Sequence, residues 1–459
     1  MPHRNHHVAM AFGLCLVLAC RSREPDGVAL VGATLIDGTG GPPLVESAIV
    51  VRRGHIESVG SRGDFQLPER TTEVDLTGRW IMPGLVDGHV HLVDPQAGVA
   101  RWSLSRYLAW GVTTVRDVHG PLRSALALRR ELARGWRPGP RVYSAGAMID
   151  GVAPTYPDAI TAGTAKDARR GVDRLVNAGA DLIKVYTHVD KTLLAALLDE
   201  ARPFNLRVAG HLGLTDAVTA ARLGLGSLEH LSGIPEAASA DPSALYAAHQ
   251  RSFFAGWTAF EQAWAGLDSA SLARVAGVLA ARTVIVVPTL VLHETFSRLD
   301  DPAVLGDPML KAIPQEEQRR WNVPDMIARA GWTTGDFAAF RRSRAAQDRF
   351  LRVFHAKGGR IAVGTDAANQ MLIPGYGVHR EMELLVAAGL TPGEAISAAT
   401  RNGALLLRVD SLGLIAPGKV ADLVVLGRDP LADIRNTLSI ERVMTRGRML
   451  SPDSIRARW

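Results

Sequence analysis

Between residues 83 and 407 the chain repeats one pattern: a short apolar run suited to a strand, then a longer stretch with helical spacing. Candidate strands fall at 85–91, 112–117, 141–146, 181–187, 206–211, 226–231, 284–288 and 361–366. Helical stretches at 122–133, 165–178, 193–201, 215–223 and 272–281 separate most of them. Repeated βα units imply a parallel sheet, and eight of them can close into a cylinder. The expected fold is therefore α/β, a (β/α)8 TIM barrel. In such barrels chemistry sits at the carboxyl ends of the strands.

The two chain ends read differently. Val28 to Gly38 is β-rich and breaks at Gly40-Gly41-Pro42-Pro43, and Ser47–Val51 with His55–Val59 forms a hairpin around Arg53-Gly54. Ala421–Leu426 and Ile440–Thr445 look alike near the far end. Residues 28–82 and 408–450 are thus expected to form one composite β-sandwich domain that braces the barrel of 83–407.

The first twenty residues read as a targeting segment. Val8 to Ala19 is a twelve-residue apolar run, too short to span a bilayer. It ends Leu18-Ala19-Cys20, which resembles a bacterial lipoprotein signal, with an ordinary secretory signal as the alternative. Residues 21–27 would be a polar tether. The expectation is an exported protein of the cell envelope, periplasmic or at the cell surface, held to membrane lipid through Cys20. The only other cysteine, Cys15, lies inside the leader, so the mature body has no disulfide and no thiolate ligand. The net charge of +6 is mild for 459 residues and the arginines are scattered, which speaks against a nucleic-acid surface.

Five candidate strands end in residues able to bind metal. The first carries His89 and His91, two residues apart and so on one face of a strand. The fourth carries Lys184, the fifth ends in His211, the sixth in His230 and the eighth in Asp366. Alone, each suits a hydrogen-bonded or capping role. Gathered on one barrel rim, they suit a divalent ion.

The chain resembles the amidohydrolase superfamily, in the branch related to imidazolonepropionases and to binuclear Xaa-Pro dipeptidases. The resemblance rests on Pro83-Gly84-Leu85-Val86-Asp87-Gly88-His89-Val90-His91, Gly111 to Asp117, Ile183-Lys184-Val185-Tyr186, Gly210-His211, Glu229-His230-Leu231, Gly364-Thr365-Asp366 and Pro417 to Val424. It implies two zinc-like divalent ions, with His89, His91 and Asp366 on one, His211 and His230 on the other, and an N-carboxylated Lys184 bridging both. It further implies a bridging hydroxide as nucleophile, with Asp366 as the general acid and base that protonates the leaving nitrogen. An unmodified lysine cation would be repelled by two dications.

Substrate contacts are read more openly. Tyr186 either donates to a developing oxyanion or packs the barrel. His188 reads as substrate contact or polar loop, and His293 looks toward a pocket. Tyr376 and His379 either touch substrate or serve a helix start. Trp257, Trp264, Trp321 and Trp332 fall in insertions that either wall a pocket or pack against one another. Many relatives carry Gly-Gly-His after strand three, where this chain has Met148 to Tyr156, so dipeptidase specificity does not simply transfer. The expected activity is cleavage of a carbon–nitrogen bond in a small amide, such as a dipeptide or N-acyl amino acid. Cyclic amide hydrolysis, lactonase or phosphotriesterase chemistry on the same metals is the alternative, and a ligand-binding protein on an inactive barrel is the non-enzyme one. Homo-oligomerisation is left open.

Overall fold

The computed structural model describes residues 27–457 apart from 65, 95–97 and 100. The leader with Cys20, and the tether up to residue 26, lie outside the described residues. No described helix is long and apolar enough to cross a membrane.

Both chain ends meet in one eight-stranded sheet. Its hub is Gly27–Leu35, antiparallel to Leu44–Arg52 on one edge. On the other edge it runs parallel to Thr71–Asp75 and then to Trp80–Pro83. Leu423–Leu426 pairs antiparallel with Trp80–Pro83, and Ile440–Thr445 and Arg448–Leu450 follow it. Side chains alternate across the sheet. Leu30, Ile49, Ile81, Leu423 and Met444 fill one cluster, while Ala29, Val31, Ala48 and Val50 form another.

The middle of the chain is mixed α/β with parallel strands. Leu85–Val90, Val112–Asp117 and Arg141–Ser144 form one arc. Ile149–Asp150, Ile183–Val185, Val208–Gly210, Ser227–Glu229, Ile285–Val287 and Arg360–Ile361 lie in a second, with Ile160–Thr161 at its edge. The ladders leave these arcs as separate sheets, and backbone hydrogen bonds cross both gaps. Asp181 N–H donates to the Ser144 carbonyl at 2.9 Å, and Gly88 N–H to that of Val363 at 2.8 Å. Every expected strand position carries a strand, but several are shorter than the apolar run suggests. Val208–Gly210 and Ser227–Glu229 leave the ladder just before His211 and His230.

Helices cover the outside because their ends are chemically marked. Ala165–Ala178 starts at Thr164, whose hydroxyl accepts the Asp167 N–H, and stops at left-handed Gly179. Lys191–Ala201 is capped by Asp190 in the same way. Added helices between strands six and eight, including Phe253–Ala263 and the 23-residue Thr334–Ala356 packed against it, form one wall. Trp264, Trp321 and Trp332 are buried in that wall, and Trp257 reaches the cavity beneath it.

Candidate metal centre

His89 lies on the last turn of pleat in Leu85–Val90, and His91 stands one step past its end. Both Nε2 atoms face Asp366 Oδ1, at 3.3 Å and 2.9 Å. The three donor atoms lie within 4.8 Å of one another, a possible metal site. Asp366 sits at φ 63° and His230 at φ 58°, left-handed conformations that turn both side chains off the strand axis.

The ring hydrogens can be placed by their partners. His91 Nδ1 lies 3.2 Å from the His119 carbonyl, which only accepts, so Nδ1 carries the hydrogen. His89 Nδ1 lies 2.6 Å from Glu229 Oε2. Burial pushes the Glu229 carboxyl up, but Arg116, His89 and Lys184 outweigh it and hold it well below the usual carboxylate range. Glu229 is therefore an acceptor, and His89 Nδ1 also carries its hydrogen. Each Nε2 then faces a carboxylate oxygen and needs a metal ion or a second ring proton between them; burial pushes the His91 pKa down, but Asp366 outweighs it and raises it. His89 Nε2 and Asp366 Oδ1 are both buried without a hydrogen-bond partner. The donor set fits a divalent ion.

A second group adjoins the first. The His230 ring lies 4.4 Å from that of His89 and 4.6 Å from that of His211. Thr289 donates its hydroxyl to the Pro288 carbonyl, so it accepts from His230 Nδ1 at 2.8 Å and leaves His230 Nε2 a bare acceptor. Burial lowers the pKa of His211 and of His230 well below the ordinary histidine value. Lys184 Nζ is buried with no partner, and burial pushes its ammonium down to about 8.

These groups open into a cavity of about 940 Å³. All six expected ligands line it, with His89 and Lys184 the most deeply buried. Tyr186 lies on its wall, edge-on to His211 at 4.7 Å and hydrogen-bonded to Tyr156. His188 also faces the cavity, but its Nε2 donates to the His249 carbonyl at 3.2 Å and its Nδ1 faces Asp150 at 3.5 Å. Phe253, Phe254, Phe296 and Trp257 give the cavity aromatic walls.

Three residues expected near substrate are elsewhere. Both ring nitrogens of His293 are taken, by Glu261 and by the His230 carbonyl at 3.1 Å, and Trp257 stacks between it and the cavity. His379 lies inside the helix Tyr376–Ala387, bonded to the Trp110 carbonyl and to Thr437 Oγ1, both at 2.9 Å. Tyr376 packs edge-on against Trp110 at 5.4 Å. None of the three lines the cavity. In a sequence, a residue after a strand looks poised for substrate; here the helices Leu290–Phe296 and Tyr376–Ala387 absorb all three.

Sequence reasoning assigned no role to Glu229, Arg116 or Thr289, which orient the ligands. The signal was present: Arg116 and Glu229 are charges inside buried strands, and buried charges must be paired. They are, at 2.7 Å, with Ser227 Oγ donating to Glu229 Oε1 at 2.7 Å.

Residues 80–450 match the model of the amidohydrolase family. The chain belongs to that family. An imidazolonepropionase of Bradyrhizobium sp. strain BTAi1 is 47% identical over 66 residues, 13% of this chain and 16% of that protein. An adenine deaminase of Rubrobacter xylanophilus is 31% identical over 88 residues, 19% of this chain and 14% of that protein. The chain thus aligns with only about a sixth of the length of these curated relatives. A Xaa-Pro dipeptidase crystallised with methionine in its active site superposes with a TM-score of 0.67 at 21% identity, covering 93% of this chain and 100% of that one. A. niger ochratoxinase gives 0.67 at 21% identity, covering 93% and 96%. At such identities the likeness is one of fold.

Proposed function

We propose that the protein is a binuclear metal-dependent hydrolase of small amides, with a dipeptide or N-acyl amino acid as substrate. One observation carries the reading: His89, His91 and Asp366 bring three donor atoms within 4.8 Å of one another, with His89 Nε2 and Asp366 Oδ1 buried and without a hydrogen-bond partner. His89, His91 and Asp366 would hold one ion, and His211 and His230 the other. Lys184, buried and unpartnered, would bridge them as its carbamate. When bound, such ions polarise a carbonyl and lower the pKa of water to roughly 7.

The chain's own residues do the rest. The Asp366 carboxylate would take a proton from the attacking water and deliver it to the leaving nitrogen, which departs poorly unless protonated. Asn369 Nδ2 donates to Asp366 Oδ2 at 2.7 Å and fixes that carboxylate. The Tyr186 hydroxyl is placed on the wall to donate to charge developing on the carbonyl oxygen. Glu229 and Thr289 hold His89 and His230 in the tautomers that expose Nε2. The aromatic walls exclude water and accept an apolar side chain.

We read the two arcs as one closed eight-stranded barrel and the composite sheet as a sandwich folded on itself, with boundaries at 28–82 and 408–450 around 83–407. Residues 1–20 would be a lipoprotein-type leader and Cys20 the lipid anchor, placing the enzyme in the cell envelope. The test is a screen of purified, zinc-loaded protein against dipeptides, N-acyl amino acids, lactones and phosphotriesters. Hydrolysis of an amide, lost in Asp366→Asn, supports the reading. Turnover of lactones or phosphotriesters alone would replace it, and no turnover of any by metal-loaded protein would favour an inactive barrel.

A further inference from the structure

At the opposite end of the strands from the histidines lies a second cavity, of about 190 Å³. It is bounded by Tyr143 and Asp181, by Arg207 just ahead of Val208–Gly210, and by Arg408 just past the helix Arg401–Leu407. Arg116 reaches it from the barrel interior.

Its guanidinium groups are poorly neutralised. Arg207 donates only to carbonyls, those of Gly226 at 2.8 Å and Leu405 at 3.2 Å. Its Nε is shielded from solvent and has no acceptor. Arg408 donates to the Asn205 carbonyl at 2.8 Å and to its side-chain oxygen. Neither forms an ion pair with a carboxylate among the described residues. Arg116 is matched by Glu229. The acid on the wall, Asp181, is engaged by Arg129 at 2.6 Å and by the Ser144 N–H at 2.8 Å. Burial, together with Arg408 and Arg116 nearby, pushes the Arg207 guanidinium down to about 10.

Water could satisfy the idle N–H, but it would not offset like charges gathered around one small cavity. A planar fork of donors matches an oxyanion. We propose that this far mouth of the barrel binds one small oxyanion, a phosphoryl group or a short carboxylate, on Arg207 and Arg408. The site is separate from the metal centre. Arg116 touches both, since the Glu229 oxygen it holds at 2.7 Å also accepts from His89.

The test is calorimetric titration of the metal-loaded protein with inorganic phosphate, sulfate and acetate at low ionic strength. One saturable site is expected for at least one of these oxyanions. A hydrogen bond to a charged group contributes about 1.5–3 kcal/mol, so Arg207→Gln and Arg408→Gln should each weaken binding by about tenfold or more. Both variants should keep wild-type metal content and turnover. Arg408→Gln, on the exposed rim, keeps the result independent of folding. Preference for phosphate and sulfate would mark a phosphoryl ligand, and parity with acetate a carboxylate; either supports the site. Binding that disappears when the metal is stripped but is untouched by both arginine variants would overturn it. So would the lack of saturable binding at millimolar concentrations.

Discussion

Glu229→Gln strikes the residue on which the ligand geometry turns. Glu229 places two oxygens against three donors: His89 Nδ1–H at 2.6 Å, Arg116 Nη2–H at 2.7 Å and the Ser227 hydroxyl at 2.7 Å. Glutamine has one accepting oxygen, and its amide nitrogen must face at least one donor. Among the described residues, the charge lost is the only carboxylate paired with Arg116, whose side chain is 1% exposed. Removing one partner of a buried ion pair costs about 3–5 kcal/mol. A lost carboxylate behind a metal-binding histidine weakens metal affinity by about 10–100-fold. Urea unfolding of the metal-free protein should therefore show a loss of about 3–5 kcal/mol. Zinc titration against a competing chelator should show the affinity loss separately. If metal-free stability and zinc affinity both stay at wild-type values, Glu229 neither neutralises Arg116 nor sets the His89 tautomer, and the argument for a cation between the lone pairs fails with it.

Lys184→Ala should bind a single ion and lose nearly all turnover, with part restored by added short carboxylic acids; full activity without them would rule out the carbamate. Thr289→Val removes the acceptor of His230 Nδ1–H and should weaken the second ion by about 10–100-fold while leaving the first, as read by stepwise chelation. Glu381 is fully buried, accepting the N–H groups of Leu290 and Val291, and burial pushes its carboxyl up to about 8. A raised carboxyl binds more protons folded than unfolded, so its contribution is fully present below the ordinary glutamate value of 4.5 and is lost as pH rises to about 8. The stability of wild type relative to Glu381→Gln should therefore fall across that window, and a pH-independent difference in chemical denaturation would contradict this.

The alternation of strands and helices was legible because each strand is a short apolar run bounded by marked helix caps. The cluster of His89, His91 and Asp366 was legible because those residues close such runs. Strand lengths were not. The run 361–366 reads as one strand, yet the ladder holds only Arg360–Ile361, since the following segment bends to hydrogen-bond the first strand and turn Asp366 inward. Glu229 and Arg116 are 113 positions apart, and nothing local couples them until the strands lie in register. His379 and His293 failed as substrate contacts for the complementary reason. Their partners, Thr437 and Glu261, come from other elements and claim the ring nitrogens. The N-terminal leader rests on sequence alone.

The most direct measurement is the metal content of the purified, full-length protein by elemental analysis, beside His89→Asn, Lys184→Ala and Asp366→Asn. Two divalent ions per chain in the wild type, and fewer in each variant, is the predicted result. A wild-type protein that retains none after incubation with excess zinc, or variants that hold as many ions as the wild type, would contradict a metal centre at the strand ends.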